Sequence, residues 1–136
     1  MQLRLSESPL IDSPRLQAGI DALAAELNEH YADTPVYLLV VLKGAVPFSV
    51  DLMQRLTMPV EVDYIRAKSY DGTESTGKVH FTSLPEDAIR GRHVLIVEDI
   101  LDTGRTAEAI LDFVWCQHAA SAKFVTLLDK PSRRIQ

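Results

Sequence analysis

The stretch VLIVEDILDTGRTAEAI, Val94 to Ile110, sets four apolar residues directly ahead of three carboxylates, Glu98, Asp99 and Asp102. Thr103-Gly104-Arg105-Thr106 and an alanine-rich helical run follow. A short continuous apolar run reads as a strand covered on both faces. A strand passing through a tight turn into a helix is the first half of a parallel α/β unit. The chemistry of the turn is less obvious, because carboxylates repel the phosphates that a glycine turn at a helix start usually holds.

The same alternation continues on both sides. Ser13-Pro14 reads as a helix cap followed by a first-turn proline, and behind it Leu16, Ile20, Leu23, Leu27 and Tyr31 share one helical face. VYLLVVL (Val36–Leu42) reads as a buried strand and VPFSVDLMQRL as a short helix. VEVDYIRA alternates and reads as a strand. SYDGTESTGKV is polar, carries two glycines and has no periodicity, so it reads as a loop. HVLIVED is a further buried strand, TAEAILDFVWCQH a helix and KFVTLLD another buried strand. Continuous apolar strands separated by helices predict an α/β fold, a mostly parallel twisted sheet flanked by helices with right-handed crossovers. Repeats, low-complexity segments and linkers are absent from the sequence, so residues 1–136 are expected to form a single domain. Trp115 and Cys116 read as core or subunit contact.

Composition limits the functions. The chain has 136 residues, net charge −5 and 46% hydrophobic residues. A chain of this length can bury roughly two thirds of its unfolded surface. Its acidic balance argues against nucleic acid as a partner. The single cysteine, Cys116, excludes an internal disulfide and a cysteine-based zinc site, and His30, His80, His93 and His118 lack metal-ligand spacing. The N-terminus MQLRLSESPL has no apolar stretch of signal-peptide length, and no run approaches membrane-spanning length, so a cytoplasmic protein without a membrane partner is expected.

In such sheets ligands bind beyond the carboxyl ends of the strands. Those ends read LKGA, VEDILDTGRT and LLDKPSRR. They bring Lys43, Glu98, Asp99, Asp102, Arg105, Lys130, Arg133 and Arg134 to one edge. The mixture suits a ligand with both anionic groups and hydroxyls. Backbone N–H groups of the turn from Thr103 to Thr106, aided by the helix dipole, suit a phosphate monoester, and Gly104 permits close approach. The acids come earlier, at the strand end, and ionised carboxylates are pure acceptors that suit two sugar hydroxyls. A ribose 5-phosphate reconciles the two.

VLIVEDILDTGRT resembles the phosphoribosyl-diphosphate motif of the type I phosphoribosyltransferases, and its acids resemble the hypoxanthine-guanine branch. LLVVLKGAVPFSVDL, KSYDGTESTGKV and TLLDKPSRR are similar to further motifs of that branch, in the same order. The resemblance covers the chain from about residue 10 to Arg134 and implies a Rossmann-like core. It also implies purine salvage: transfer of the 5-phosphoribosyl group from phosphoribosyl diphosphate to hypoxanthine or guanine, giving IMP or GMP and pyrophosphate, with Mg2+ as cofactor. Thr103, Gly104, Arg105 and Thr106, with the Asp102 backbone, would cradle the 5-phosphate. Glu98 and Asp99 would bind the ribose hydroxyls and, through them or through water, the metal. Asp102 would be the catalytic base facing the purine imidazole ring. Lys43 and Gly44 would hold pyrophosphate, in a loop whose Leu42–Lys43 peptide can be cis. Ser69 and Tyr70 would lie on a flexible loop over the reacting centre. Lys130 would bond the purine 6-oxo group, and Arg134 would stand nearby.

In the family the chain continues past KPSRR, adding an aromatic residue that stacks on the purine, a further magnesium-binding acid and an arginine. The sequence stops at Gln136, so the resemblance implies that the C-terminal hood segment is missing and that turnover is affected. It implies a dimer or tetramer as well. Two other functions compete. A non-catalytic nucleotide-binding regulator on the same fold could dispense with the acid before Thr-Gly, whereas Asp102 is kept. A receiver-like domain would need an acid pair after the first strand, where Lys43 stands.

Overall fold

The computed structural model describes residues 13–69, 79–85, 89–101 and 105–129. The chain order is α1 (Ser13–Tyr31), β1 (Val36–Val41), α2 (Val46–Met53), β2 (Val60–Ser69), β3 (Val79–Ser83), β4 (His93–Leu101), α3 (Arg105–Cys116) and β5 (Ser121–Asp129). The five strands form one sheet in the order β3-β2-β1-β4-β5. β1 pairs in parallel with both β2 and β4, β4 pairs in parallel with β5, and β3 is antiparallel to β2.

The apolar runs decide this arrangement. All six residues of β1 are buried, and alternation divides them between two cores. Val36, Leu38 and Val40 pack with Leu95 and Val97 of β4 under Ile20, Ala24, Leu27 and Tyr31 of α1 and Phe48 and Leu52 of α2. Tyr37, Leu39 and Val41 pack with Val94 and Ile96 under Ile110 and Val114 of α3. Leu95 and Ile96 are fully buried, one on each face, and full burial of each contributes about 1.5–3 kcal/mol. The crossover from β1 goes to β2 and that from β4 goes to β5, in opposite directions along the sheet. Equal handedness then requires their helices on opposite faces, which is where α2 and α3 lie.

The expected α1 face is present: Ile20, Leu27 and Tyr31 are buried, with Leu16 and Leu23 packed against them. Three readings need correction. β3 was not expected. Its sequence VHFTS has only two large apolar residues and a half-buried alternation, and it is fixed by pairing with β2 and by Phe81 lying 5.3 Å from the Phe113 ring. The expected loop Ser69–Val79 is shorter, because Ser69 ends β2 opposite Val79. β5, read as buried, is the sheet's edge: among its described side chains Val125 is buried and Lys123 exposed. Of the two alternatives for Trp115 and Cys116, core or subunit contact, the core one is not taken. The buried stripe of α3 runs through Ala107, Ile110 and Val114, which leaves Trp115 half exposed and Cys116 exposed. Among the described residues no helix is long and apolar enough to cross a membrane.

Candidate active site

β1 is the strand at which the connections turn away from each other, so the cleft between its C-terminal end and that of β4 is where this topology opens a binding site. The strand lengths make that end a recess. β1 stops at Val41, opposite Ile65 of β2, and β2 runs four residues further, to Ser69. With Val40 opposite Val97, β4 also overruns β1 as far as Leu101, and β5 keeps pace to Asp129 opposite Leu101.

The floor of the recess is the turn into α2. The Leu42–Lys43 peptide is cis, as the resemblance allows. Leu42 N–H donates to the Ile65 carbonyl at 2.9 Å, and Val46 N–H donates to the Lys43 carbonyl at 3.2 Å. Lys43 and Gly44 are exposed in the opening. One wall is β4. Alternation puts Val97 in the core under α1 and α2, so Asp99 shares that face and Glu98 the face of α3. The Asp99 carboxyl group rests against Gly44: a Cβ placed there would be 2.5 Å from Asp99 Oδ2. The Glu98 carboxyl is pushed up from 4.5 to about 7, first by burial and then by the negative charge of Asp99. Two acids so placed gain from any ligand that brings hydroxyl donors or positive charge.

Four expected site residues, Lys43, Gly44, Glu98 and Asp99, are thus brought together. Arg105 is the first residue of α3 and Thr106 lies half-buried in its first turn, so the helix start adjoins the end of β4. Ser69 closes β2 on the same edge of the sheet. Asp102, Thr103, Gly104, Tyr70, Lys130, Arg133 and Arg134 lie outside the described residues. Lys130 follows directly on Asp129, the last residue of β5. Among the described residues no group of three histidine, cysteine, aspartate or glutamate side chains forms a metal site. Glu98 and Asp99 alone would leave most positions of a cation to ligand oxygens and water. The seating of Asp99 on Gly44 was not expected from sequence, which marked the two residues only as members of separate motifs.

The phosphoribosyl transferase domain family matches residues 8–136. The chain is 41% identical over 134 residues to the hypoxanthine-guanine-xanthine phosphoribosyltransferase of Tritrichomonas foetus, covering 93% of this chain and 73% of that protein. Among solved structures it is similar to a hypoxanthine phosphoribosyltransferase from Staphylococcus aureus, with TM-score 0.88 and 36% identity over 94% of this chain and 70% of that one. It is also similar to the hypoxanthine phosphoribosyltransferase of Trypanosoma cruzi in complex with the product IMP, with TM-score 0.86 and 32% identity over 100% and 78% of the two chains. All three are transferases by name, and none favours the non-catalytic regulator.

Proposed function

The chain belongs to the phosphoribosyl transferase domain family, and from that premise we propose that it transfers the 5-phosphoribosyl group of phosphoribosyl diphosphate to hypoxanthine or guanine, giving IMP or GMP. The observation that carries this reading is the recess at the end of β1. It seats Asp99 of β4 against a lysine-glycine turn, with Glu98 next to it in the strand and α3 starting shortly beyond the strand's end. Acceptors for ribose hydroxyls, a cation for the leaving group and an anion-binding helix start then fall where one ribose 5-phosphate derivative can meet all three.

The reaction breaks the bond from ribose C1 to the pyrophosphate oxygen and forms a bond from C1 to a purine nitrogen. Positive charge grows on the sugar as pyrophosphate leaves with the bonding electrons. Glu98 and Asp99 hold the ribose hydroxyls and favour that charge. Lys43 and the Gly44 backbone hold pyrophosphate. Thr103, Gly104, Arg105 and Thr106, with the Asp102 backbone, hold the 5-phosphate. Asp102 takes the proton from the imidazole ring of the base. Lys130 donates to the 6-oxo group, with Arg134 nearby, and the segment that begins at Ser69 and Tyr70 covers the reacting centre and excludes water. The crowded pair Glu98 and Asp99 fits Mg2+, a cation that takes one or two carboxylates and leaves its other positions to substrate oxygens and water. Glu98 and Asp99 would hold it through ribose hydroxyls or water, and when bound it would supply neutralisation of the leaving group. A cytoplasmic setting and a dimer or tetramer complete the proposal.

Thermal unfolding with ligand tests it. GMP, or phosphoribosyl diphosphate with magnesium, should raise Tm, because a ligand at a hundred times its Kd adds about 2.7 kcal/mol to the folded state. An unchanged Tm at millimolar concentrations of both ligands would reject the site.

A further inference from the structure

The recess holds a contact that neither pyrophosphate nor phosphate binding requires. A Cβ on Gly44 would meet Asp99 Oδ2 at 2.5 Å, Cγ at 2.9 Å and Oδ1 at 3.0 Å, so all three nearest atoms belong to one carboxyl group. The other described glycines differ: a Cβ on Gly19 or Gly91 would meet nothing within 4 Å. Nor does the backbone at 44 call for glycine. Among the described glycines only Gly91 has a positive φ, so no left-handed φ demands glycine at 44. What glycine supplies at position 44 is space, and Asp99 fills it.

We infer that Gly44 is a positioning residue for Asp99: by carrying no side chain, it lets the Asp99 carboxylate seat against the turn after β1. The turn that holds the leaving group is thereby coupled to the acid that holds the ribose. The inference rests on the phosphoribosyl reading given above. It adds that a change at 44 reaches a ligand that never touches the pyrophosphate turn. In Gly44→Ala the Asp99 carboxylate must retreat about 0.9 Å, from 2.5 Å to the 3.4 Å at which ordinary contact begins. Only the far end of one side chain has to move, so the fold is kept. A displacement of about 1 Å at a substrate-positioning group can cost up to about 10²-fold.

GMP separates the two roles of the turn, because it carries the ribose and 5-phosphate but no pyrophosphate. Calorimetric titration of GMP with magnesium into the unaltered chain, Gly44→Ala, Asp99→Ala and the double variant closes a mutant cycle. Gly44→Ala should weaken GMP about ten- to hundredfold when Asp99 is present. In the Asp99→Ala background it should change the affinity less than about twofold, since the carboxylate it displaces is gone. Equal GMP affinity for the unaltered chain and Gly44→Ala would overturn the inference, and so would an equal loss in both backgrounds. If Gly44→Ala fails to fold, Asp99→Ala must rescue it, and failure of that rescue would overturn the inference too. Absence of GMP binding by the unaltered chain would instead reject the phosphoribosyl reading on which the inference stands.

Discussion

The two ends of the parallel sheet treat charge in opposite ways. At the N-terminal end the charged and polar groups carried by the strands meet partners. The Arg92 guanidinium lies 4.4 Å over the Tyr37 ring and pairs with Glu61. The Tyr37 hydroxyl donates to Asp63 at 2.5 Å, and Asp63 also accepts the Tyr64 N–H at 2.8 Å. His93 Nδ1 lies 2.8 Å from the Ser121 hydroxyl. At the C-terminal end like charges adjoin. Glu98 and Asp99 are consecutive, and burial and the Asp99 charge hold the Glu98 carboxyl at about 7. The first arrangement stabilises the fold by itself. The second leaves an electrostatic cost on ionising Glu98, of the kind that clusters at functional sites. Chemistry in this sheet is therefore sought at the C-terminal end, where two consecutive acids are crowded and burial raises the cost of ionising one of them.

The largest effect should come at the site end. Asp102→Asn removes the proposed base while keeping its size. Turnover should fall about 10²–10⁴-fold, with phosphoribosyl-diphosphate affinity nearly unchanged. Steady-state rates and titration of the same variant check this. An equal loss of both would make Asp102 a ligand and not a base. Next is Lys130→Ala. A lysine has donors only, so it favours a 6-oxo group over a 6-amino group, and a mismatched partner costs about 1–3 kcal/mol. Competition between hypoxanthine and adenine should show the preference narrowing about tenfold, and an unchanged ratio would remove Lys130 from the purine site.

The opposite end of the sheet should respond in stability alone. Tyr37→Phe strips a hydrogen bond from the buried Asp63 carboxylate and should cost about 1.5–3 kcal/mol in denaturant unfolding, with GMP binding intact. Tyr31 is the control. Its hydroxyl is buried with no hydrogen-bond partner among the described residues, so Tyr31→Phe should be neutral or stabilising. Equal costs for the two would show that the pairing at the N-terminal end is not what stabilises it.

The smallest effect is a pH dependence. The Glu98 carboxyl holds its proton to about 7 in the folded chain and to about 4.5 when exposed. Between these values the folded chain binds more protons, so stability falls as pH rises across that window. The contribution is complete below 4.5 and lost above about 7. Glu98→Gln should flatten this slope in a series of melting curves. A slope unchanged by the substitution would place the crowding elsewhere.

The sequence made some of this plain and hid the rest for physical reasons. β1 and β4 were legible because each is a near-continuous apolar run, as a strand buried on both faces requires, and β5 was legible as a strand although, at the sheet's edge, it buries only Val125 among its described side chains. β3 was not, since Val79 and Phe81 alternate with polar residues over only five positions. The acids Glu98 and Asp99 were legible as a site because a strand end carrying charge stands out against an apolar run. Their crowding was not, because it depends on burial. Nor was the meeting of Gly44 with Asp99, which follows from the register of β1 against β4 and from no local pattern. The sequence left Trp115 open between core and subunit contact; one position along a helix turns a side chain by about 100°, enough to carry it off the buried stripe of Ile110 and Val114.

The acid-bearing C-terminal end of the sheet is proposed above as a phosphoribosyl-transfer site. Conversion of isotope-labelled hypoxanthine by the chain, with magnesium, tests it most directly. Labelled IMP should form with phosphoribosyl diphosphate, not without it, and should be lost in Asp102→Asn but kept in Tyr31→Phe. No labelled IMP from the unaltered chain at millimolar phosphoribosyl diphosphate would contradict the claim, as would IMP formation that Asp102→Asn leaves untouched.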